Sequence, residues 1–162
     1  MATLPSIKSR LLMKTDVVYL HALTPIERAI EIFDEYSIHG APVVDEAGEL
    51  CGVLSMTDIA RRDEAQLADR RRNHNYYSHD PLEESFELRD EYPAEILGRE
   101  LVSDWMTPSV LSIGPDEDLS AVAAMMAGER IHRVFVVDDG KLLGVISTLD
   151  VVECLATAQS AL

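Results

Sequence analysis

A chain of 162 residues with 47% hydrophobic and 27% charged side chains can bury the core of one compact domain or of two small ones. Its apolar runs fall far short of the roughly 18 residues that suggest a membrane span, and the first residues, Pro5, Lys8 and Arg10 among them, lack the apolar centre of a signal peptide, so a cytoplasmic protein with no membrane partner is expected. The net charge of −15 sets the surface against polyanions and excludes nucleic acid as a general partner, whereas a small phosphate ligand would need a local positive pocket.

In chain order, Ser6 to Leu12 is a short apolar and basic lead that predicts a helical turn or two. Met13 to Leu20 reads as a turn followed by a β-rich run. Thr24 and Pro25 predict a helix start, with threonine as N-cap and proline in the first helical position. Ile26, Ala29, Ile30 and Phe33 then fall at helical spacing and define a buried face as far as about Tyr36. Ile38 to Val44 is again β-like. The turn Asp45-Glu46-Ala47-Gly48 joins it to a strand over Leu50 to Leu54 in a hairpin-like pair, and a further helix is expected from near Ser55 or Thr57.

The same order returns later. Met13 matches Met106, Val17 matches Val110, Ile26 matches Leu119, Ile38-His39 matches Ile131-His132, and Val43-Val44-Asp45 matches Val136-Val137-Asp138, all at an offset of 93. The second hairpin turn is one residue shorter, so Gly52-Val53-Leu54-Ser55-Met56-Thr57-Asp58 maps onto Gly144-Val145-Ile146-Ser147-Thr148-Leu149-Asp150 at an offset of 92. A register held this long marks a duplication. It predicts an α+β chain with two repeats, residues 10–62 and 105–157, each ordered strand, helix, strand, strand, helix. Residues 63–104 have no counterpart. They prolong the helix after Asp58 through Arg70-Arg71-Arg72, turn polar and aromatic at 73–81, and become acidic from Glu83 to Tyr92, where a loop or partly ordered flap is expected. Pro93 to Asp104 reads as helical, a lead into the second repeat as Ser6 to Leu12 is into the first.

The lead Met106-Thr107-Pro108-Ser109-Val110, the segments IHGAPVVD (38–45) and IHRVFVVD (131–138), and the two strand-to-helix motifs together resemble the tandem cystathionine β-synthase (CBS) domain pair, often called a Bateman module. The resemblance implies two βαββα units packed about a pseudo-two-fold axis, with clefts between them that take adenosine ligands. It implies a regulatory sensor with an adenine nucleotide as its ligand and no required cofactor, a homodimer, and a regulated protein that the sequence does not identify. For that role Asp58 and Asp150, each near a helix start, can accept hydrogen bonds from ribose hydroxyls. Ser55, Thr57, Ser147 and Thr148, with first-turn backbone N–H groups, are phosphate-side candidates. Val17, Val110, Ala41, Pro42 and Val134 would wall the adenine. Related modules place basic residues near the phosphates, which singles out His39, His132 and above all Arg133. Arg133 is matched by Gly40 in the first repeat and Phe135 by Pro42, so unequal clefts are expected, with the Phe135 ring either narrowing the adenine pocket or filling core.

A rival reading remains open at the same residues. Ser-x-x-Asp before a helix is also a capping-box pattern, which would give Ser55 with Asp58 and Ser147 with Asp150 a structural task in a ligand-free dimerisation module. No nucleophile stands in a recognisable catalytic motif, so no catalysis is expected. His74, Asn75, His79 and Asp80 lack metal-ligand spacing, and no metal is expected. The arginines at 61, 62 and 70–72, interleaved with acids, read as a helix face laced by ion pairs. Met125 and Met126 lie on the second repeat's first helix, where self-association competes with core packing. Cys51 and Cys154, in no paired spacing, are expected to be reduced and buried.

Overall fold

The computed structural model describes residues 6–60 and 100–159. Its elements run α1 (Ser9–Leu12), β1 (Leu20–His21), α2 (Ile26–Glu35), β2 (Gly40–Val44), β3 (Leu50–Ser55), α3 (Met56–Ala60), α4 (Val102–Trp105), β4 (Ser112–Ile113), α5 (Leu119–Glu129), β5 (Arg133–Asp138), β6 (Lys141–Ser147) and α6 (Thr148–Gln159). The expected arginine-rich helix extension, the His74 to Asp80 loop and the acidic flap lie outside the described residues. Contacts divide the chain into two units: residues 18–110 form one, and residues 1–17 with 111–162 form the other. We name them after their buried aspartates, the Asp58 unit and the Asp150 unit.

Each unit carries a three-stranded mixed sheet, ordered β1-β2-β3 and β4-β5-β6, which makes the fold α+β. In the Asp58 unit β1 lies parallel to β2 with Leu20 opposite Val43, and β2 lies antiparallel to β3 with Gly40 opposite Ser55 and Val43 opposite Gly52. The Asp150 unit repeats this: Ile113 opposes Val136, Arg133 opposes Ser147, and Val136 opposes Gly144. Both hairpins slip register at the same place, between Val43 and Val44 and between Val136 and Val137. The duplication therefore extends to the bulge, a feature that bends and twists a strand pair. The second hairpin closes through Asp139 and Gly140, both at positive φ (46° and 79°), the backbone that a tight Asp-Gly turn demands. The first is longer and is held by the Asp45 carboxylate, which accepts the Glu49 N–H at 2.8 Å.

Two expectations shift. The helix predicted to start at Pro25 starts at Ile26, and Pro25 occupies the cap position. No side-chain cap forms. Instead the Ile26 N–H donates to the Glu100 carbonyl at 3.0 Å, and the Thr24 carbonyl accepts the Val102 N–H at 2.8 Å, so the incoming segment 100–102 satisfies this helix end. Of the β-rich run ending at Leu20 only Leu20 enters a strand, β1, which continues to His21. Its earlier part is engaged elsewhere: Lys14 pairs with Val145, donating its N–H at 2.9 Å and accepting the Val145 N–H at 3.0 Å.

That pairing reveals how the leads are used. Each lead packs on the sheet of the other repeat. Ser6 to Val17 belongs to the Asp150 unit, anchored by a Lys8–Asp118 ion pair of 3.0 Å and by Ser9 N–H to the Glu117 carbonyl at 2.8 Å. Residues 100–110 belong to the Asp58 unit, where Thr107 exchanges backbone hydrogen bonds of 2.8 and 3.0 Å with Val53. This close approach explains the glycine heading each motif. A Cβ on Gly52 would lie 2.6 Å from the Met106 sulfur, and one on Gly144 would lie 2.6 Å from the Lys14 carbonyl oxygen.

The Asp58 unit's core joins Leu20, Ile26, Ala29, Phe33, Ala41, Val43, Leu54 and Ile59 to Val102 and Trp105 from the lead of the other repeat. In the Asp150 unit Leu119, Val122, Val134, Phe135, Val136 and Ile146 are fully enclosed. Phe135 is 0% exposed, so its ring fills core. Both cysteines are free but half-buried rather than buried. The Cys51 thiol donates to the Val43 carbonyl at 3.4 Å, and burial, helped by the negative charge of Asp45, pushes its pKa up. Among the described residues no helix is long and apolar enough to cross a membrane, and no group of three His, Cys, Asp or Glu side chains is placed to hold a metal ion.

Candidate functional site

In each unit a strand delivers a serine to the first turn of a helix, and an aspartate three residues on closes back onto it. Asp58 Oδ2 accepts the Ser55 N–H at 2.8 Å and the Ser55 hydroxyl at 2.6 Å, while the Asp58 N–H donates to Ser55 Oγ at 3.2 Å. Asp150 Oδ2 accepts the Ser147 N–H at 2.7 Å and its hydroxyl at 2.5 Å, and the Asp150 N–H donates back at 3.3 Å. These are complete capping boxes with aspartate in the reciprocating position. Both carboxylates are buried, Asp58 to 6% exposure and Asp150 to 8%, a position tolerable for a charge only because donors surround it.

The other first-turn donors are also engaged. The Met56 N–H reaches the His39 carbonyl at 2.8 Å, and the Thr148 N–H reaches the His132 carbonyl at 2.9 Å. Of the amides expected to serve a phosphate, those of Ser55, Met56 and Asp58, and of Ser147, Thr148 and Asp150, already have partners. The His39 and His132 side chains are exposed. The Thr148 hydroxyl lies 3.5 Å from His132 Nδ1 and 3.3 Å from its carbonyl oxygen. Thr57 is half-buried in α3, and Arg133 is half-buried on β5, directly across the hairpin from the capping Ser147.

Because the leads cross over, the candidates regroup. The Asp58 unit holds Ser55, Thr57, Asp58, His39, Ala41, Pro42 and Val110, whereas Val17 joins Val134, His132, Arg133, Ser147, Thr148 and Asp150 in the other. Neither valine of the leads lies in a strand, and both are half-buried; Ala41, Pro42 and Val134 are buried.

The crossover also introduces a residue that sequence reasoning did not single out. Lys14 Nζ sits 2.9 Å from Asp150 Oδ1, the carboxylate oxygen not used by the cap. Burial pushes the Asp150 carboxyl up, but hydrogen bonds from Ser147 and Lys14 outweigh it and hold the pKa below the ordinary carboxylate range. The same hydrogen bond raises the Lys14 pKa. At the matching position of the Asp58 unit stands Thr107, 4% exposed, whose hydroxyl oxygen is buried with no hydrogen-bond partner among the described residues. The contrast of Lys14 with Thr107 was available at the offset of 93, but not the carboxylate Lys14 would meet. A groove of about 490 Å³ opens beside Asp150, lined by Ile7, Leu11 and Leu12 from the lead and by Glu153 and Cys154 from α6. None of the residues expected to wall the adenine lines it.

Comparison with known proteins agrees with this duplicated architecture. The CBS domain family model matches residues 7–65 and 102–157. The chloroplastic CBS domain-containing protein CBSX1 of Arabidopsis thaliana is 31% identical over 140 residues, covering 86% of this chain and 59% of that protein. The human 5′-AMP-activated protein kinase subunit gamma-3 is 28% identical over 148 residues, covering 91% of this chain and 26% of that protein. The chain thus spans about half the length, or less, of such relatives. Among solved structures, CBSX2 in complex with AMP superposes with a TM-score of 0.66 at 24% identity, covering 94% of this chain and 98% of that one, a likeness of fold.

Proposed function

The chain belongs to the CBS domain family, and on that footing we propose that it is a regulatory module which binds an adenosine-containing ligand and passes its presence to a partner protein. The observation that carries this reading is the buried carboxylate repeated at a helix start in both units, Asp58 and Asp150, each hydrogen-bonded by the N–H and hydroxyl of its serine. An ionised carboxylate is a strong acceptor for the vicinal hydroxyls of a ribose. Ser55, Thr57, Ser147 and Thr148, with His39, His132 and Arg133, are the phosphate-side residues of the proposal, and Val17, Val110, Ala41, Pro42 and Val134 its apolar wall. Support comes from the relatives: the solved CBSX2 structure holds AMP, and a second relative is a subunit of an AMP-activated kinase. The reading extends to a cytoplasmic homodimer without catalytic activity of its own.

Titration calorimetry of the purified chain with AMP, ADP, ATP, S-adenosylmethionine, NAD and cyclic di-adenosine monophosphate tests it. Saturable heat with at least one of them is expected. No heat from any, together with no shift in melting temperature, overturns it.

The completeness of the capping boxes favours a second reading, in which the aspartates are structural and the chain is a ligand-free dimerisation module. Asp58→Asn and Asp150→Asn separate the two. Asparagine keeps an acceptor oxygen for the serine N–H but loses the charge, so a ligand site loses affinity while a pure cap keeps most of its stability.

A further inference from the structure

We infer that Lys14 makes binding at Asp150 selective for adenosine ligands that carry a phosphate, by passing from the Asp150 carboxylate to that anion as the ribose takes its place. The inference rests on the ligand-binding reading above and adds a rule of ligand choice at one of the two aspartates.

A carboxylate offers about four lone-pair positions to donors. At Asp150 the Ser147 N–H and hydroxyl fill Oδ2 at 2.7 and 2.5 Å, and the Lys14 ammonium takes a position on Oδ1 at 2.9 Å. The vicinal hydroxyls of a ribose bring two donors to the room left for one. A resident donor must leave. The serine donors belong to the cap that starts α6, and the Asp150 N–H answers the Ser147 hydroxyl in return at 3.3 Å, so both are tied to the helix start. The Lys14 side chain has no such tie: it is 63% exposed, and its ammonium ends a flexible four-carbon stem. The ribose therefore displaces the lysine.

An ammonium moved off a carboxylate gives up a charge-assisted hydrogen bond, and the cost depends on what it meets next. The Lys14 backbone stays pinned to Val145 by two hydrogen bonds, so the ammonium remains near Asp150. Glu153 is the other carboxylate whose charge reaches it, but that residue is exposed and acts through screening solvent. With an uncharged nucleoside the lysine is left to water. With a nucleotide the phosphate arrives together with the ribose and offers the ammonium a new anionic partner, so the exchange costs little. The net charge of −15 sharpens the rule, because a phosphate enters against a repulsive background unless a cation meets it.

The test is calorimetry with AMP and with adenosine on two chains: Asp58→Ala, which removes the other proposed ribose acceptor, and Asp58→Ala combined with Lys14→Thr. The first should prefer AMP. Adding Lys14→Thr should move the two ligands in opposite directions. Adenosine tightens because nothing has to be displaced, AMP weakens because its phosphate loses a partner, and the ratio of their Kd values narrows by about tenfold, the scale of one charge-assisted hydrogen bond. A purely structural role for Lys14 would move both ligands the same way, and that result overturns the inference. An unchanged ratio overturns it too, as does tighter AMP, which would make Lys14 a simple obstacle.

Because Asp58→Ala also removes a cap, reductive methylation read by mass spectrometry gives a second measurement on the wild-type chain, whose lysines are Lys8, Lys14 and Lys141. Excess adenosine should speed methylation of Lys14 relative to the other two, and excess AMP should not. Equal effects of the two ligands on Lys14 overturn the inference. AMP binding to wild type but not to folded Asp58→Ala overturns it as well, since Asp150 would then accept no ribose. A wild-type chain that does not bind AMP overturns the inference, and the proposed function falls with it only if the other adenosine ligands fail too.

Discussion

The Asp58 and Asp150 units share a sheet order, a hairpin register, a bulge and a capping box, and they differ in what stands around that frame. In the Asp58 unit β2 begins with Gly40 and carries Pro42, and the neighbouring lead offers the uncharged Thr107. The Asp150 unit has Arg133, Phe135 and Lys14 in those places. Duplicated chains are held alike where the backbone geometry demands it and are free to diverge where side chains face a ligand or a solvent-filled groove. Here the divergence falls on charge: two cations stand on one side and none at the matching positions of the other.

The comparison breaks most visibly at Phe135. Truncation to alanine empties an enclosed ring position and should cost about 3–5 kcal/mol, whereas Pro42→Ala, at the matching position, should cost far less. Urea unfolding of the two variants reads the difference. Next come the glycines. Gly144→Ala forces a methyl against a backbone carbonyl at 2.6 Å, and about 1–3 kcal/mol of overpacking is expected. Gly52→Ala should be milder, because its nearest neighbour is the flexible Met106 side chain, although the Thr107 carbonyl is 3.0 Å away. Equal losses in the two melts would mean that the leads are held less tightly than their hydrogen bonds indicate. Removing either cap by Asp58→Ala or Asp150→Ala should cost about 1–2 kcal/mol, measured in the same way.

The smallest effect has the sharpest signature. Lys14→Thr should lower stability by less than about 1 kcal/mol, since the lysine is exposed and screened. The loss should depend on pH. The Asp150 pKa is depressed on folding, so the stability this pair contributes is present above the ordinary carboxylate range and fades as pH falls through the lower folded value. The Lys14 pKa is raised, so the same contribution is fully present below the ordinary lysine range and is lost as pH rises through the higher folded value. Wild type and K14T should therefore converge at both extremes and differ between them. A difference that does not vary with pH would remove the ion pair as its cause.

Much of this arrangement was legible in the residues. Helix α2 follows from Ile26, Ala29 and Phe33 at helical spacing, and both hairpins follow from apolar runs around Gly48 and Gly140. The repeat was countable because apolar class, glycine and aspartate recur at a fixed offset. What was not legible depends on contacts between distant segments, which leave no periodic trace. Pro25 yields the first helical position because Glu100, far along the chain, supplies the acceptor. Val17 leaves the unit of Asp58 for that of Asp150. The two glycines were visible as a motif, but the Met106 sulfur and the Lys14 carbonyl that require them were not. The aspartates stood out as a repeated pair, while the lysine already seated on one of them belongs to a lead that sequence order assigns to the other repeat.

The exchanged leads also set an order of events during synthesis. The segment 6–17 leaves the ribosome before the rest of its unit, yet its sheet is complete only when β6 has been made, so its pairing with Val145 must wait for more than a hundred residues to follow. Residues 18–60 are closed earlier, as soon as 100–110 emerge. The half with the uncharged threonine is thus the earlier of the two to become complete, and the half that carries the lysine is closed later, by a segment made before either sheet.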